Sequence, residues 1–542
     1  MSNEIGNEKK YKKFFDLLTR REVDYFIMAI VLIIACYVRF ANLSINPGWY
    51  SDEGTLVDIA INLLEGKNQY LVINQSTLLA ARLPVFPMLL AGIFAVAEPG
   101  ITTLRFTTAI LSVITIGLLY WVVRDILGKE RSYLAIGAAF FLAIYPEAIL
   151  YSRLGFSYNL LAPLVVGMVW FLWKYLETNN LKWILLASLL VGIGSVSDLM
   201  MFTVAPIVVL IAFIKSWKDS ILSAGVIVLP FILYSLGMLS FSKEAFLFDF
   251  KFTFFRLGEI PLAAQYPYII FNYAVILLKD FWWSLAIIGM FLIPEKRFRD
   301  LSLVVFFMPL TLLARTASLP GLGFYYLIPL FPMIALGAVS LVAAGTPYAL
   351  SIIRRGLEIF LDVFIKLDQK GKLESIWKPI ILVVSSLVLF LVVFSPFVIS
   401  LSLGVYQART GLRTDIDPVM VNVQDAQRTI SFINKRIDPE DVVLASPALA
   451  WAIESRAADF QMAIAAEGGE TQHFPTDIPS DRFEFNPEYG QVDYVIIDPI
   501  WINWAVPNMP EVAEMVQDVK NWPKIYHSGL VEIYENPEKD NK

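Results

Sequence analysis

The chain has 542 residues, of which 57% are hydrophobic and 17% are charged, whereas soluble proteins typically carry about 25% charged residues. This composition excludes an ordinary soluble protein and predicts a polytopic α-helical membrane protein. A net charge of −6 without a basic stripe argues against a nucleic-acid partner, and one cysteine and two histidines exclude a disulfide framework and His-rich metal chemistry in the membrane.

The N-terminal segment, residues 1–22, is polar and basic, and an apolar run follows at residues 25–38. The segment is too long and too charged for a typical signal peptide, so we expect the first span to remain as an anchor. The positive-inside rule places this end of the chain in the cytoplasm.

A long outer loop is expected at residues 42–101. It contains an apolar segment, residues 83–97, that includes Pro84 and Pro87 and is shorter than the roughly 20 residues a span needs. If this segment lies along the outer interface or re-enters the membrane, the later basic loops all fall on the cytoplasmic side. The charge pattern therefore predicts about eleven spans.

A second outer loop, residues 242–267, is rich in phenylalanine. Such a run is typical of an aromatic belt or helix at the membrane interface, and a flexible lid is the alternative interpretation.

The composition becomes polar after the final span at about 379–405. We therefore predict a transmembrane domain over residues 23–405 and a soluble extracytoplasmic α/β domain over residues 406–542. The chain would be a multi-pass protein of the plasma (inner) membrane. Helical and strand-like periodicities alternate after the last span, and the predicted elements are helices at 419–435 and 511–520 and strands at 441–445, 492–498 and 530–534.

Two adjacent acids, Asp52 and Glu53, follow the first span. Carboxylates at a bilayer surface are costly to desolvate, so this pair indicates proton abstraction, cation binding or both. The alternative is a helix N-cap, because acids are favoured at the start of a helix such as the one predicted after them.

Other polar residues collect at the predicted outer ends of the spans. The arginines could hold an anionic phosphate through bidentate contacts or could simply anchor the protein at the interface. Tyr325 and Tyr326 could contact a substrate or belong to an aromatic belt, and Asp198 is expected in a solvated turn. The candidate cations are Arg82, Arg105, Arg153 and Arg315.

These motifs resemble the GT-C superfamily of membrane glycosyltransferases, in the branch of the protein O-mannosyltransferases and the lipid A aminoarabinose transferases. The resemblance spans most of residues 25–340. The motifs that carry it are Asp52-Glu53, Pro84 to Pro87 with Arg105, Tyr151-Ser152-Arg153, and Tyr326 with Pro329 and Pro332.

The resemblance implies a GT-C-type transmembrane domain and a polyprenyl-phosphate sugar as the donor. Asp52 would take a proton from an acceptor hydroxyl, and the sugar would be transferred with inversion at its anomeric carbon. Glu53 would assist in catalysis, the arginines would bind the donor phosphate, and Tyr158, Asn159, Tyr325 and Tyr326 would contact substrate. The acceptor, whether protein, lipid or glycan, stays open.

The sequence departs from the family at Tyr158 and Asn159, where many members carry an aspartate. A hard divalent cation generally wants more than one carboxylate, so we expect no cofactor and no metal site. A cation such as Mg²⁺ or Mn²⁺ remains the alternative.

Two other classes of function stay open. A transporter or flippase of lipid-linked saccharides would carry charges near the middle of the membrane and broken helices in paired positions. A non-catalytic membrane scaffold would use its soluble domain to bind a partner.

Overall fold

The computed structural model describes seven stretches of the chain. They are residues 21–75, 83–255, 262–315, 324–365, 373–410, 418–471 and 473–539.

Helices dominate the described residues up to Thr410. The first seven are α1 Arg21–Phe40, α2 Ser51–Leu64, α3 Val85–Phe94, α4 Ile101–Leu127, α5 Ser132–Ile144, α6 Pro146–Ser152 and α7 Tyr158–Thr178. The next nine are α8 Leu181–Ser195, α9 Ala205–Lys215, α10 Trp217–Phe241, α11 Lys243–Phe255, α12 Leu262–Lys279, α13 Phe281–Met290, α14 Lys296–Ala314, α15 Phe331–Ile365 and α16 Leu373–Thr410.

Five of the described helices are long and apolar enough to cross a membrane, or up to seven if each bent pair forms one span. The helix at Trp217–Phe241 has a mean hydropathy of 2.1, yet only 11% of its apolar window is buried. A surface of this kind is stable against lipid and not against water, which agrees with the predicted membrane location. The figure of about eleven spans stays a prediction.

The C-terminal residues form a mixed five-stranded sheet with helices. The strands are β3 Val442–Ala445, β4 Arg456–Asp459, β5 Tyr494–Ile497, β6 Lys524–Ser528 and β7 Val531–Glu535, and the helices are α17 Val423–Ile433, α18 Pro447–Ala450, α19 Phe460–Ala466, α20 Val506–Asn508 and α21 Pro510–Val519.

The strand order is β4-β3-β5-β7-β6. The first three strands are parallel, and β7 is antiparallel to β5 and β6. The fully buried pattern of β3 and β5 matches the apolar runs predicted as strands. The preceding helix α16 continues to Thr410, past the expected end of the last span at residue 405.

The outer loop after α1 folds into three pieces. Helix α2 is followed by a hairpin of β1 Gln69–Tyr70 and β2 Ile73–Asn74, and then by α3. Helix α3 has only ten residues, in line with the prediction that this apolar segment is too short to cross the bilayer.

One hydrophobic core joins this outer loop to the C-terminal sheet. Leu56 and Val57 of α2 and Phe86 of α3 pack in the same buried cluster as Leu444 of β3 and Val495 of β5. A second cluster holds the interior of the helical bundle. The loop and the sheet therefore stabilise each other, although they lie at opposite ends of the chain.

The first half of the phenylalanine-rich segment forms helix α11, which is tied to the C-terminal sheet region, and residues 256–261 of the predicted loop lie outside the described residues. Asp249 of α11 is fully buried, and Arg482 lies 3.2 Å from its carboxylate. Arg482 also donates to the carbonyl of Asn74 beside the β1–β2 hairpin. The ion pair holds the segment in one place, and whether it acts as a belt or as a lid stays a prediction.

Helices α13 and α15 approach closely where each carries a glycine. A Cβ atom added at Gly337 would overlap the backbone of Ala286, and one added at Gly289 would overlap the backbone of Gly337. Small residues at such crossings let membrane helices pack backbone against backbone.

We expect Gly337→Ala to destabilise the bundle by about 1–3 kcal/mol, because the methyl group would force the two helices apart. The loss should be visible as a lower midpoint of thermal unfolding in detergent. Gly345→Ala is the matched control in the same helix, because a Cβ atom there meets nothing within 4 Å. Equal midpoints for the two variants would contradict the proposed close packing.

Candidate active site

The first turn of α2 is anchored by a buried ion pair. Glu53 and Arg105 are both 0% exposed, and the guanidinium binds the carboxylate in a bidentate manner with N–O distances of 2.7 and 2.6 Å. The same carboxylate accepts hydrogen bonds from the backbone N–H groups of Gly155 at 2.9 Å and Tyr50 at 3.1 Å. Its charge is thus compensated, as burial requires.

The remaining donors of Arg105 hold the loop before α2. They reach the carbonyl oxygens of Pro47 and Gly48, each at 2.8 Å, and that of Leu43 at 3.5 Å. The expectation that Arg105 binds the donor phosphate therefore needs correction, because its guanidinium is fully occupied by protein groups. Glu53 is enclosed in the same way, so the assistance in catalysis expected of it would act through the position of Asp52.

Arg153 supports the same loop from another side. It is 1% exposed and donates to the carbonyl oxygens of Val38 and Arg39 at the end of α1 and of Asn46 in the loop. Buried carbonyl groups need such partners. The structure thus gives Arg153 a structural position instead of the expected phosphate contact.

Asp52 sits beside this anchor, in the first turn of α2, and is half-buried. Its carboxylate lies within electrostatic range of the Tyr325 hydroxyl, and so does Tyr50. Residues 52 and 53 follow one another in a helix and face different directions. The buried Glu53 therefore fixes the helix so that Asp52 points to the aromatic side of the site.

An aromatic cluster lies on that side. Tyr325 stacks on Phe156 with ring centroids 4.7 Å apart and contacts Tyr326 at 4.4 Å. Tyr158 lies 4.9 Å from Tyr326, and Tyr50 lies 5.6 Å from Phe156. The structure thus brings together three of the four residues expected to contact substrate, and these are Tyr158, Tyr325 and Tyr326.

Asn159, the fourth, turns toward the backbone. Its amide donates to the carbonyl oxygens of Tyr151 at 3.0 Å and Phe156 at 3.2 Å, and the side chain is 2% exposed. The expected substrate contact is therefore corrected to a role in closing the turn before α7. Asp198 is half-buried and accepts a hydrogen bond from Ser157 at 3.5 Å, so it is not in a solvated turn.

Arg315 and Arg82 are the two remaining candidates for binding the donor phosphate. Arg315 is exposed at the end of α14 and remains accessible to an anion. Arg82 lies outside the described residues. Within the described ranges there is no group of three or more His, Cys, Asp or Glu side chains that could hold a metal ion.

The other face of α2 packs on the C-terminal sheet. A Cβ atom at Gly54 would overlap the carbonyl of Pro447, so only glycine permits this contact. A polar chain runs alongside, in which Thr55 and Tyr70 hydroxyls lie 3.1 Å apart and Tyr70 donates to Asp459 at 3.2 Å. Helix α2 is therefore positioned from both sides.

No sequence motif indicates this second support of α2. Tyr70 and Asp459 carry no local motif, and the glycine after Asp52-Glu53 is the one feature that could have indicated a close contact. Phe156 follows the Tyr151-Ser152-Arg153 motif by three residues, and nothing in the sequence distinguishes it from an ordinary core aromatic.

Known proteins share parts of the sequence and most of this fold. Residues 81–240 match the model of a family described as dolichyl-phosphate-mannose-protein mannosyltransferase. ArnT from Cupriavidus metallidurans, in a crystal structure bound to undecaprenyl phosphate, aligns with a TM-score of 0.59 at 12% identity, over 94% of this chain and 97% of that protein.

The oligosaccharyltransferase of Archaeoglobus fulgidus aligns with a TM-score of 0.52 at 15% identity, over 88% of this chain and 70% of that protein. The predicted resemblance to the GT-C superfamily is confirmed. No curated protein sequence matches the chain. At these identities the structural likeness establishes the GT-C fold and not the substrates.

The ion pair in this GT-C fold can be tested by Glu53→Ala. Removing one partner of a buried pair leaves the charge of Arg105 uncompensated, so we expect a loss of about 3–5 kcal/mol in the free energy of unfolding. Thermal and denaturant unfolding in detergent would measure it.

The matched control is Glu65→Ala at the other end of α2. Glu65 pairs with Lys67, but both side chains are more than half exposed, so the expected change is about 0–1 kcal/mol. If both variants lost the same stability, the anchoring role of Glu53 would be refuted.

Asp459, which supports α2 through Tyr70, should make the stability of the protein depend on pH. Burial raises the pKa of Asp459 to about 6, although hydrogen bonds from Met462, Gln461 and Tyr70 partly oppose the shift. Because the unfolded chain keeps the ordinary lower pKa, this group favours folding below about pH 4 and loses that contribution as the pH rises through about 6.

We expect Asp459→Asn, which cannot ionise, to lose less stability than the wild type between about pH 4 and 7. The asparagine can keep the existing contacts, because its oxygen still accepts from the backbone and its amide can donate to Tyr70. The measurement is the unfolding midpoint against pH, with the exposed Asp477→Asn as control. Parallel curves for Asp459→Asn and the wild type would rule the effect out.

Proposed function

We propose that the chain is an inverting glycosyltransferase that moves a sugar from a polyprenyl-phosphate donor to a hydroxyl acceptor at the outer membrane face. The observation that carries the proposal is Asp52, held half-buried beside an aromatic cluster by a fully compensated Glu53–Arg105 pair. The fold it shares over 94% of its length with an undecaprenyl-phosphate-bound protein supports the donor class.

The proposed chemistry requires one proton acceptor. As the acceptor oxygen forms its bond to the anomeric carbon, Asp52 takes the hydroxyl proton, the bond from that carbon to the phosphate oxygen breaks, and polyprenyl phosphate leaves with its electron pair. A hydroxyl is a poor nucleophile, and a positioned general base contributes roughly 10²–10⁴-fold to the rate.

Asp52 is better suited to accept a proton than Glu53, because the two carboxylates differ in burial. Glu53 receives two guanidinium contacts and two backbone N–H bonds and has no exposed surface. Asp52 keeps access to open space, so of the two acids it is the one that can meet a hydroxyl. One carboxylate thus fixes the helix and the other is available for proton transfer.

The donor would be held by the groups that remain accessible. Arg315 is exposed and can offset the charge that builds on the leaving phosphate, and Arg82 is kept in the same role. The faces and hydroxyls of the half-buried Tyr325 and Tyr326 can contact the sugar, whereas Tyr158 is buried and packs against Tyr326. The isoprenoid tail stays in hydrocarbon, which requires the reaction to take place at the membrane surface.

We further propose that the reaction needs no resident metal ion. A hard divalent cation usually takes several carboxylate ligands, and the carboxylate next to Asp52 is already bound by Arg105. A site for Mg²⁺ or Mn²⁺ would have to draw its remaining ligands from elsewhere. The N-terminus is proposed to be cytoplasmic and the C-terminal region extracytoplasmic, on the basis of the charge distribution.

The test is Asp52→Asn, assayed with labelled polyprenyl-phosphate sugars for transfer and for donor hydrolysis. We expect kcat to fall by about 10²–10⁴-fold while the KM for the donor changes little, because asparagine keeps the shape but cannot take the proton.

Glu65→Gln on the exposed end of α2 is the control for a general effect of removing an acid from this helix. Unfolding midpoints and donor binding should match the wild type in both variants. If Asp52→Asn kept the wild-type turnover, Asp52 would not be the general base.

A further inference from the structure

An open groove of about 760 Å³ runs along α17 in the C-terminal region, between this helix and strand β6. The residues of α17 that line it recur at helical spacing, from Gln424 through Gln427 and Arg428 to Phe432, and Lys435 follows just after the helix ends at Ile433. Residues three or four apart share one face of a helix. These side chains therefore form one continuous, mostly polar wall of the groove. The proposed glycosyl transfer does not involve them.

The groove is positively charged although the chain as a whole is acidic. Arg428 and Lys435 are exposed and have no ion-pair partner in the part of the chain that the structure describes, whereas Arg436 is paired with Glu535. Arg428 lies on α17 and Lys435 lies just past its end, and both line the groove. Two unpaired cations that line one groove favour a ligand that carries more than one negative charge.

An aromatic pair lies between the two cations. Phe432 of α17 and Tyr526 of β6 stack with ring centroids 4.2 Å apart and an interplanar angle of 16°, and both rings are half-exposed. Flat rings of this kind can pack against the apolar face of a sugar ring, and the neighbouring glutamine amides can both donate and accept hydrogen bonds to hydroxyl groups. This combination suits a sugar chain better than a peptide.

The segment just before α17 is joined to the loop that precedes Asp52. Val421, just before α17, exchanges two backbone hydrogen bonds with Trp49, at 2.7 and 2.9 Å. Trp49 is three residues before Asp52 in the sequence. A Cβ atom added at Gly48 would lie only 2.7 Å from the Val421 carbonyl, so the two segments are in close contact.

We propose that the α17 groove binds a carboxylated glycan chain, and that this chain is the acceptor whose hydroxyl reaches Asp52. The role as acceptor rests on the glycosyl transfer proposed above, whereas the binding itself does not. Arg428 and Lys435 pair with carboxylates of the chain, and the Phe432–Tyr526 pair supports a sugar ring. The Gln424 end of the groove, three residues after the Val421–Trp49 contact, is the end from which the chain would continue toward Asp52.

The experiment measures binding to the purified full-length protein without donor, so that no turnover is needed. The probes are a hexameric oligogalacturonate, the neutral maltohexaose of the same length, and a glutamate hexapeptide as an acidic peptide. We expect the oligogalacturonate to bind about tenfold more tightly than either of the others, and more weakly as the salt concentration rises.

The decisive variant is Arg428→Ala with Lys435→Ala, which removes two exposed side chains and leaves the hydrophobic core unchanged. It should weaken oligogalacturonate binding about tenfold, because two exposed charge contacts to the ligand are lost. The matched control is Arg456→Ala on strand β4, an exposed cation at the opposite edge of the same sheet.

Three results would overturn the proposal: equal binding of the neutral oligosaccharide, equal or tighter binding of the glutamate peptide, or an equal loss in the double variant and the control. Donor hydrolysis by the wild type separates this proposal from the proposed function. Intact hydrolysis with no oligogalacturonate binding rejects the groove alone. Binding with neither hydrolysis nor transfer rejects the glycosyltransferase assignment, and with it the acceptor role, but leaves glycan binding by the groove in place.

Discussion

The buried pair of Glu53 and Arg105 is the interaction on which the candidate site depends. It joins the first turn of α2 to the first turn of α4, and the remaining donors of Arg105 fix the carbonyls of the loop before Asp52. A buried charge without its partner costs several kcal/mol, so the pair is stable only when all three segments meet correctly. The position of the Asp52 carboxylate is thereby coupled to correct packing of these helix ends.

Two kinds of support converge on α2. On the membrane side the support is ionic and hydrogen-bonded, through Arg105 and Gly155. On the side of the C-terminal sheet the support is steric and apolar, where Gly54 meets Pro447 and the residues around Leu56 share a core with the strands. Catalytic groups need such external constraint, because a site held only by a loop is too mobile for proton transfer.

Local properties of the sequence predicted a large part of the fold. The composition predicted the membrane helices, the proline-interrupted segment at 83–97 predicted the short helix α3, and the apolar runs predicted β3 and β5. The roles of Arg105, Arg153 and Asn159 could not be predicted, because an arginine at a helix end looks the same whether its partner is lipid, phosphate or a buried carbonyl. Only contacts between distant segments decide this, such as the one from Arg153 to Val38.

The shared core of the outer loop and the C-terminal sheet has a consequence for biogenesis. Helix α2 enters the membrane environment early in synthesis, but the strands that cover its apolar face are made only after α16. Until translation ends, that face is exposed and the reactive helix lacks one of its supports. Helix α2 should therefore reach its final position only after the last strands have been made, because pairing between distant segments is slow and leaves apolar surface open to misassembly.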